Sequence, residues 1–147
     1  MTDRALVEEN HAARQELADL IARLDERSFQ CAVGSGWTVS TWLCHLAFWD
    51  RLALTLLTEW EGGRFETARL SPQAIDSINE AVRAVSQAVP GPAAAKLALD
   101  SAAAVDSRVE EIGDELCERI VAAGFERSLT RSLHRREHLR RIGEALG

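Results

Sequence analysis

From Val39 to Trp60 the chain carries one uninterrupted helical pattern, signalled at both ends. Thr38 is a good N-cap at its start, and Gly62-Gly63 stops it. At roughly 100° per residue, Trp42, Leu46, Trp49, Leu52, Ala53, Leu56 and Trp60 fall on one side of this helix. Arg51, Thr55, Thr58 and Glu59 fall on the other. So long an apolar stripe needs other helices to cover it. Trp37 precedes the cap and is placed to fold back onto the first turn as a hydrophobic staple.

The same period runs through the rest of the chain. Ala5 to Leu24 repeats Leu6, Ala13, Leu17, Leu20 or Ile21, and Leu24, with Thr2 or Asp3 as cap. After a loop over 64–70 that Phe65 anchors, Ser71-Pro72 opens a third helix with Ile75, Ile78, Val82, Val85 and Val89 inward. Asn79 and Glu80 lie on it, facing either the functional site or solvent. Pro90-Gly91-Pro92 breaks that helix, and the pattern resumes from Ala93 to Ile112 with Leu97, Val105, Val109 and Ile112 as core positions. A short piece with Leu116, Ile120 and Val121 ends near Gly124. The last helix is expected from Glu126 to Leu146, inward through Leu129, Leu133, Leu139, Ile142 and Leu146. No useful strand-period alternation and no internal repeat is present. The expected fold is all-α: a single domain over 1–147, an up-down bundle of about four long helices broken in or after the third.

A chain of 147 residues can bury a core that holds without disulfides or a structural metal, so a bound metal is free to be functional. The net charge of -6 argues against a general nucleic-acid binder. Arg127, Arg131, Arg135, Arg136, Arg140 and Arg141 nonetheless crowd the last segment. They read as a solvated face paired with Glu126, Glu137 and Glu144, or else Arg131 or Arg135 helps hold an anionic ligand. Cys31, Cys44 and Cys117 form neither a CxxC pair nor a disulfide framework, which fits reduced thiols. The start of the chain has no apolar core of a signal peptide, and no apolar run reaches membrane-span length. A cytoplasmic location is expected, with no membrane or nucleic-acid partner.

The chemistry rests on three histidines. His45 sits at the edge of the tryptophan-rich stripe, and His134 and His138, four apart, share a face of the last helix. A lone histidine on an apolar face is usually a satisfied core residue. A pair at this spacing plus a third ring from a facing helix forms a tripod, the donor set of an open catalytic zinc centre. Nickel, iron or copper also suit imidazole. Asp50 and Glu137 are either acceptors for imidazole N–H groups or surface salt-bridge partners. Trp42 and Trp49 are core, or wall a ligand pocket beside His45. His11, among Glu8, Glu9 and Arg14, reads as a surface residue. There is no HExxH, no Gly-rich phosphate loop and no GxSxG elbow. Cys44 and His45 are neighbours on a helix and face apart.

The stretch GWTVSTWLCHLAFWD resembles the helix-2 signature of the DinB/YfiT-like four-helix bundles. LHRREHLRRI is similar to the last-helix signature of the same superfamily, in its DfsB-like and mycothiol-dependent maleylpyruvate isomerase-like branches. The resemblance implies an up-down-down-up bundle holding a divalent metal on His45, His134 and His138. Some relatives carry glutamate where this chain has His134. Related enzymes include isomerases and S-transferases that use mycothiol or bacillithiol. The resemblance therefore implies a metal-dependent enzyme, zinc first among the candidate ions, with a low-molecular-weight thiol as a further cofactor. Trp42, Trp49 and Arg131 are the candidates for substrate contact. The competing expectations are a non-catalytic bundle that sequesters a small molecule, and a homodimer joined through the helix-2 tryptophans.

Overall fold

A computed structural model describes residues 3–65 and 69–147. In chain order its helices are α1 (Arg4–Ala22), α2 (Glu26–Phe29), α3 (Val39–Glu61), α4 (Pro72–Ser86), α5 (Gly91–Glu111), α6 (Asp114–Ala122) and α7 (Ser132–Leu146). A single 3-10 turn, Glu126–Ser128, lies between α6 and α7. Among the described residues there is no strand, only an isolated antiparallel bridge between Ala32 and Thr38. The chain is all-helical, as its periodicity requires.

Local chemistry fixes most helix ends. Asp3 caps α1 by accepting from the Ala5 N–H at 3.0 Å; the alternative cap, Thr2, lies outside the described residues. At the start of α3, Thr38 Oγ1 accepts from the Thr41 N–H at 3.2 Å, and Thr41 Oγ1 accepts from the Thr38 N–H at 2.8 Å. This reciprocal box satisfies two amides that the helix leaves without partners. Trp37 closes the staple: its ring stacks on Trp42 with centroids 4.0 Å apart and planes 15° from parallel. Gly63, at φ 92°, turns the chain away after Gly62. Ser71 caps α4 through the Ala74 N–H at 3.1 Å.

α3 packs against α5, α4 and α7, and α1 against α7 and α5. Ala94, Ala95, Ala98 and Ala102 are among the buried positions of α5, and their small side chains let a neighbouring helix approach closely. One apolar cluster includes Leu17, Leu20, Leu43, Leu46, Ala98, Ala102 and Ile142. A second holds Ala53, Leu57, Trp60, Val105, Val109, Ile112, Ile120 and Leu129, with Phe65 packed against it. Along α3 the two are divided by Asp50, which is 1% exposed, and on α5 Asp106, also 1% exposed, lies at the same level. The core therefore contains a buried polar layer.

Four expectations are corrected. The last helix starts at Ser132, not Glu126, because the side chain of Asn10 on α1 occupies its N-terminus. Asn10 Oδ1 accepts from the backbone N–H groups of Arg131 and Ser132, both at 2.9 Å, and its Nδ2 donates to Leu129 O at 2.8 Å. Leu133 is exposed, since the inner stripe of α7 is Ser132, Arg135, His138 and Ile142. Leu97 and Val85 are exposed as well. Within α4, the buried position is Ser86, next to Val85. Among the described residues, no helix is long and apolar enough to cross a membrane.

Candidate metal centre

The early helix α3 supplies His45, and the late helix α7 supplies His134 and His138. Their ring centroids lie 5.2 Å (His45–His134), 4.7 Å (His45–His138) and 4.8 Å (His134–His138) apart. One ligand atom from each ring falls within 4.8 Å of the others. His45 Nε2 and His134 Nε2 are 3.2 Å apart. Two nitrogens at zinc–nitrogen bond length around a tetrahedral ion stand about 3.3 Å apart, so this spacing suits a shared divalent ion.

The tryptophans of α3 set the rings in place. Trp42 is sandwiched: Trp37 covers one face, and His138 stacks on it at 4.5 Å and 27°. Its indole N–H donates to Val33 O at 3.1 Å, which locks the ring. Trp37 and Trp42 both meet His45 in T-shaped contacts, with centroids 5.6 and 5.0 Å apart. Trp49 stands further off at 6.4 Å and donates to Asn79 Oδ1 at 2.8 Å. Asn79 thus faces the tryptophan behind the site, whereas Glu80 pairs with Arg83. Trp60 belongs to the second apolar cluster.

The site keeps its imidazoles neutral. Burial, then the charges of His138, Arg131 and Arg141, pushes His45 down from 6.5 to about 3. Burial, then Arg131 and the two other rings, pushes His134 to about 2. Burial lowers His138 to about 4 against the opposing pull of Glu137. Neutral imidazole is the form that binds a metal. His45 Nδ1 and His138 Nδ1 are buried without a hydrogen-bond partner, an energetic debt that an apolar core position would not carry. The residues fit a divalent ion by donor type, spacing and protonation.

Behind the rings lies the polar layer. Arg135 is wholly buried, and all five of its N–H groups are used. Two meet Asp106 (2.8 and 3.0 Å), and the others go to Asp50 Oδ2 (3.2 Å), Asn10 O (3.1 Å) and Ala102 O (3.4 Å). None is left for an anionic ligand. Arg131 donates to Asp50 Oδ1 at 2.8 Å and Arg127 O at 2.9 Å, and a third N–H group faces His134 Nδ1 at 3.4 Å. Asp50 is therefore neither a surface residue nor a direct acceptor for a histidine; it joins the two arginines. Glu137 does pair at the surface, with Arg141 at 3.0 Å. His11 lies apart from the centre, 3.7 Å from Glu110.

Sequence reasoning passed over Asn10 and Asp106 and misplaced Asp50. Each had a signal: a polar residue at a position the apolar period claims. Asn10 falls between Leu6 and Ala13, Asp50 between Leu46 and Ala53, and Asp106 between Ala102 and Val109.

An open groove of about 630 Å³ is lined by Val33, Gly34, Trp37, Trp42, Arg141 and Glu144 among others; none of the three histidines lines it, and Trp37 and Trp42 stand between it and the rings they contact. Cys44, one residue before His45, is buried, and burial pushes its thiol pKa up, so it is a poor nucleophile. Compared with known families, residues 10–139 match the model of the mycothiol maleylpyruvate isomerase N-terminal domain. Searches of curated proteins and of solved structures find no match.

Proposed function

The chain belongs to the mycothiol maleylpyruvate isomerase N-terminal domain family, within the DinB/YfiT-like helical superfamily, and on that premise we propose that it is a divalent-metal-dependent enzyme acting with a low-molecular-weight thiol. The metal ligands are His45, His134 and His138. The reaction class is S-transfer or thiol-assisted isomerisation. The observation that carries this reading is the convergence of three neutral imidazoles from distant parts of the chain, two of them buried. In this reading α1, α3, α5 and α7 form an up-down-down-up four-helix bundle, supported by the packing of α1 and α3 each on both α5 and α7.

Zinc suits the donor set best, with nickel or iron as alternatives. When bound, such an ion supplies Lewis acidity that brings a thiol or water into its anionic form near neutral pH. The protein's part is to hold the rings and shape the approach. Trp42 fixes His138 by stacking and also walls the groove, so it is the residue common to both. Trp49 on α3 and Arg131, just before α7, flank the rings, and their remaining surface is assigned to the substrate's surroundings.

The test is elemental analysis of protein purified without a histidine tag, followed by a thiol-transfer screen. One equivalent of metal is expected in the native chain and its loss in His45→Ala and His138→Ala. Full occupancy in both variants would remove these residues from the site.

A further inference from the structure

The partner of His134 has the wrong sign for an ordinary metal ligand. A ligating histidine usually donates its second ring N–H to a carboxylate or carbonyl. Here the group facing His134 Nδ1, at 3.4 Å, is the guanidinium of Arg131. A guanidinium has five donors and no acceptor. It also cannot turn away. Its Nε is held by Asp50 and its Nη1 by Arg127 O, its side chain is 8% exposed, and Asp50 is itself tied to the clamped Arg135. His134 Nδ1 therefore meets it as a lone pair.

The remaining protons follow by exclusion. A neutral imidazole has one N–H, so that of His134 is on Nε2 and donates to His45 Nε2, 3.2 Å away. His45 must then carry its own proton on Nδ1, one of the two buried ring nitrogens without a partner. One tautomer assignment accounts for the Arg131 contact and the His45–His134 contact together.

We propose that Arg131 is a positioning residue for His134: it keeps a proton on the nitrogen that faces the other two rings, and so weakens the hold of the cluster on a divalent ion. Only the second half rests on the metal-centre reading above. To bind through Nε2, the neutral ring must move its proton to Nδ1, donor against donor with Arg131. His134 is then the most readily released of the three ligands.

The experiment has two arms. Long-range proton–nitrogen correlation on the metal-free native protein reads the tautomer directly, and His134 is expected as Nε2–H. In Arg131→Gln the amide can offer its oxygen to His134 Nδ1–H while keeping an N–H for Asp50, so the proton is expected to move to Nδ1. The second arm measures zinc affinity by competition with a chromophoric chelator. Affinity is expected to rise about tenfold or more in Arg131→Gln, since partners of this kind shift affinity about 10–100-fold. A merely structural role predicts the opposite, a loss of affinity with no change of tautomer. An Nδ1–H ring in the native protein overturns the proposal whether or not the variant folds. A proton that moves without any gain in affinity overturns its second half. A native protein that takes up no zinc overturns the metal reading, while the tautomer measurement still decides the role of Arg131.

Discussion

Mild acid should unfold the metal-free protein, and the three histidines should set how steeply. Each ring titrates near 6.5 in an unfolded chain, but at about 3, 2 and 4 in place for His45, His134 and His138. Between those limits the unfolded state binds protons that the folded state refuses, so stability falls as pH falls. The contribution is fully present above about pH 6.5 and drains away as pH drops toward 4 and below. Each ring contributes a slope of up to about 1.4 kcal/mol per pH unit, so three give about 4 near pH 5. Integrated from about pH 6.5 to 5, the loss is about 5 kcal/mol, comparable with the whole stability of a small domain. The assay is urea unfolding of metal-free protein at a series of pH values between about 7 and 5, read as change in midpoint at constant m-value. His134→Gln should lower the slope by about one proton, roughly 1.4 kcal/mol per pH unit. A native slope below one proton in this range would refute the claim that these rings are buried and neutral. Added zinc should raise the whole curve without changing its slope, because the folded rings it would bind are already free of protons across this range.

Two further substitutions probe the frame of the site. Asn10→Leu removes three buried hydrogen bonds and strands two amides and a carbonyl at the start of α7. The expected cost is about 3 kcal/mol by thermal unfolding, with faster amide exchange at Arg131 and Ser132, and a cost under about 1 would contradict the capping role. Gly91→Ala sets a Cβ only 2.3 Å from Phe29 Cγ and should destabilise by about 1–3 kcal/mol. Gly143→Ala, in α7 with nothing within 4 Å, should instead stabilise by about 0.5–1 kcal/mol, and the two melts together test whether space or helix propensity governs.

What the sequence reveals depends on how far apart the interacting residues lie. The ends of α3 are readable because Thr38, Thr41, Gly62 and Gly63 act on their own neighbours. Trp37 on Trp42 is readable for the same reason. The histidine centre is readable because two of its members are one helical turn apart and the third interrupts an apolar stripe. The start of α7 is not, since its cap comes from Asn10, a side chain 121 positions away from Arg131. The arginines mislead for a related reason. Arg136, Arg140 and Arg141 pair with surface glutamates as their composition suggests. Arg131 and Arg135 differ only in having carboxylates opposite them on α3 and α5, which no local pattern discloses.

The tie between Asn10 and the entrance of α7 also orders events during synthesis. His45 leaves the ribosome well before its two partners are translated, and the α1 amide waits as long for the backbone it must grip. Until that last stretch emerges and docks, a nascent chain presents one of the three rings of the candidate centre. A stalled or truncated product that lacks α7 therefore lacks two of the three rings, and with them the pair that a shared ion would need.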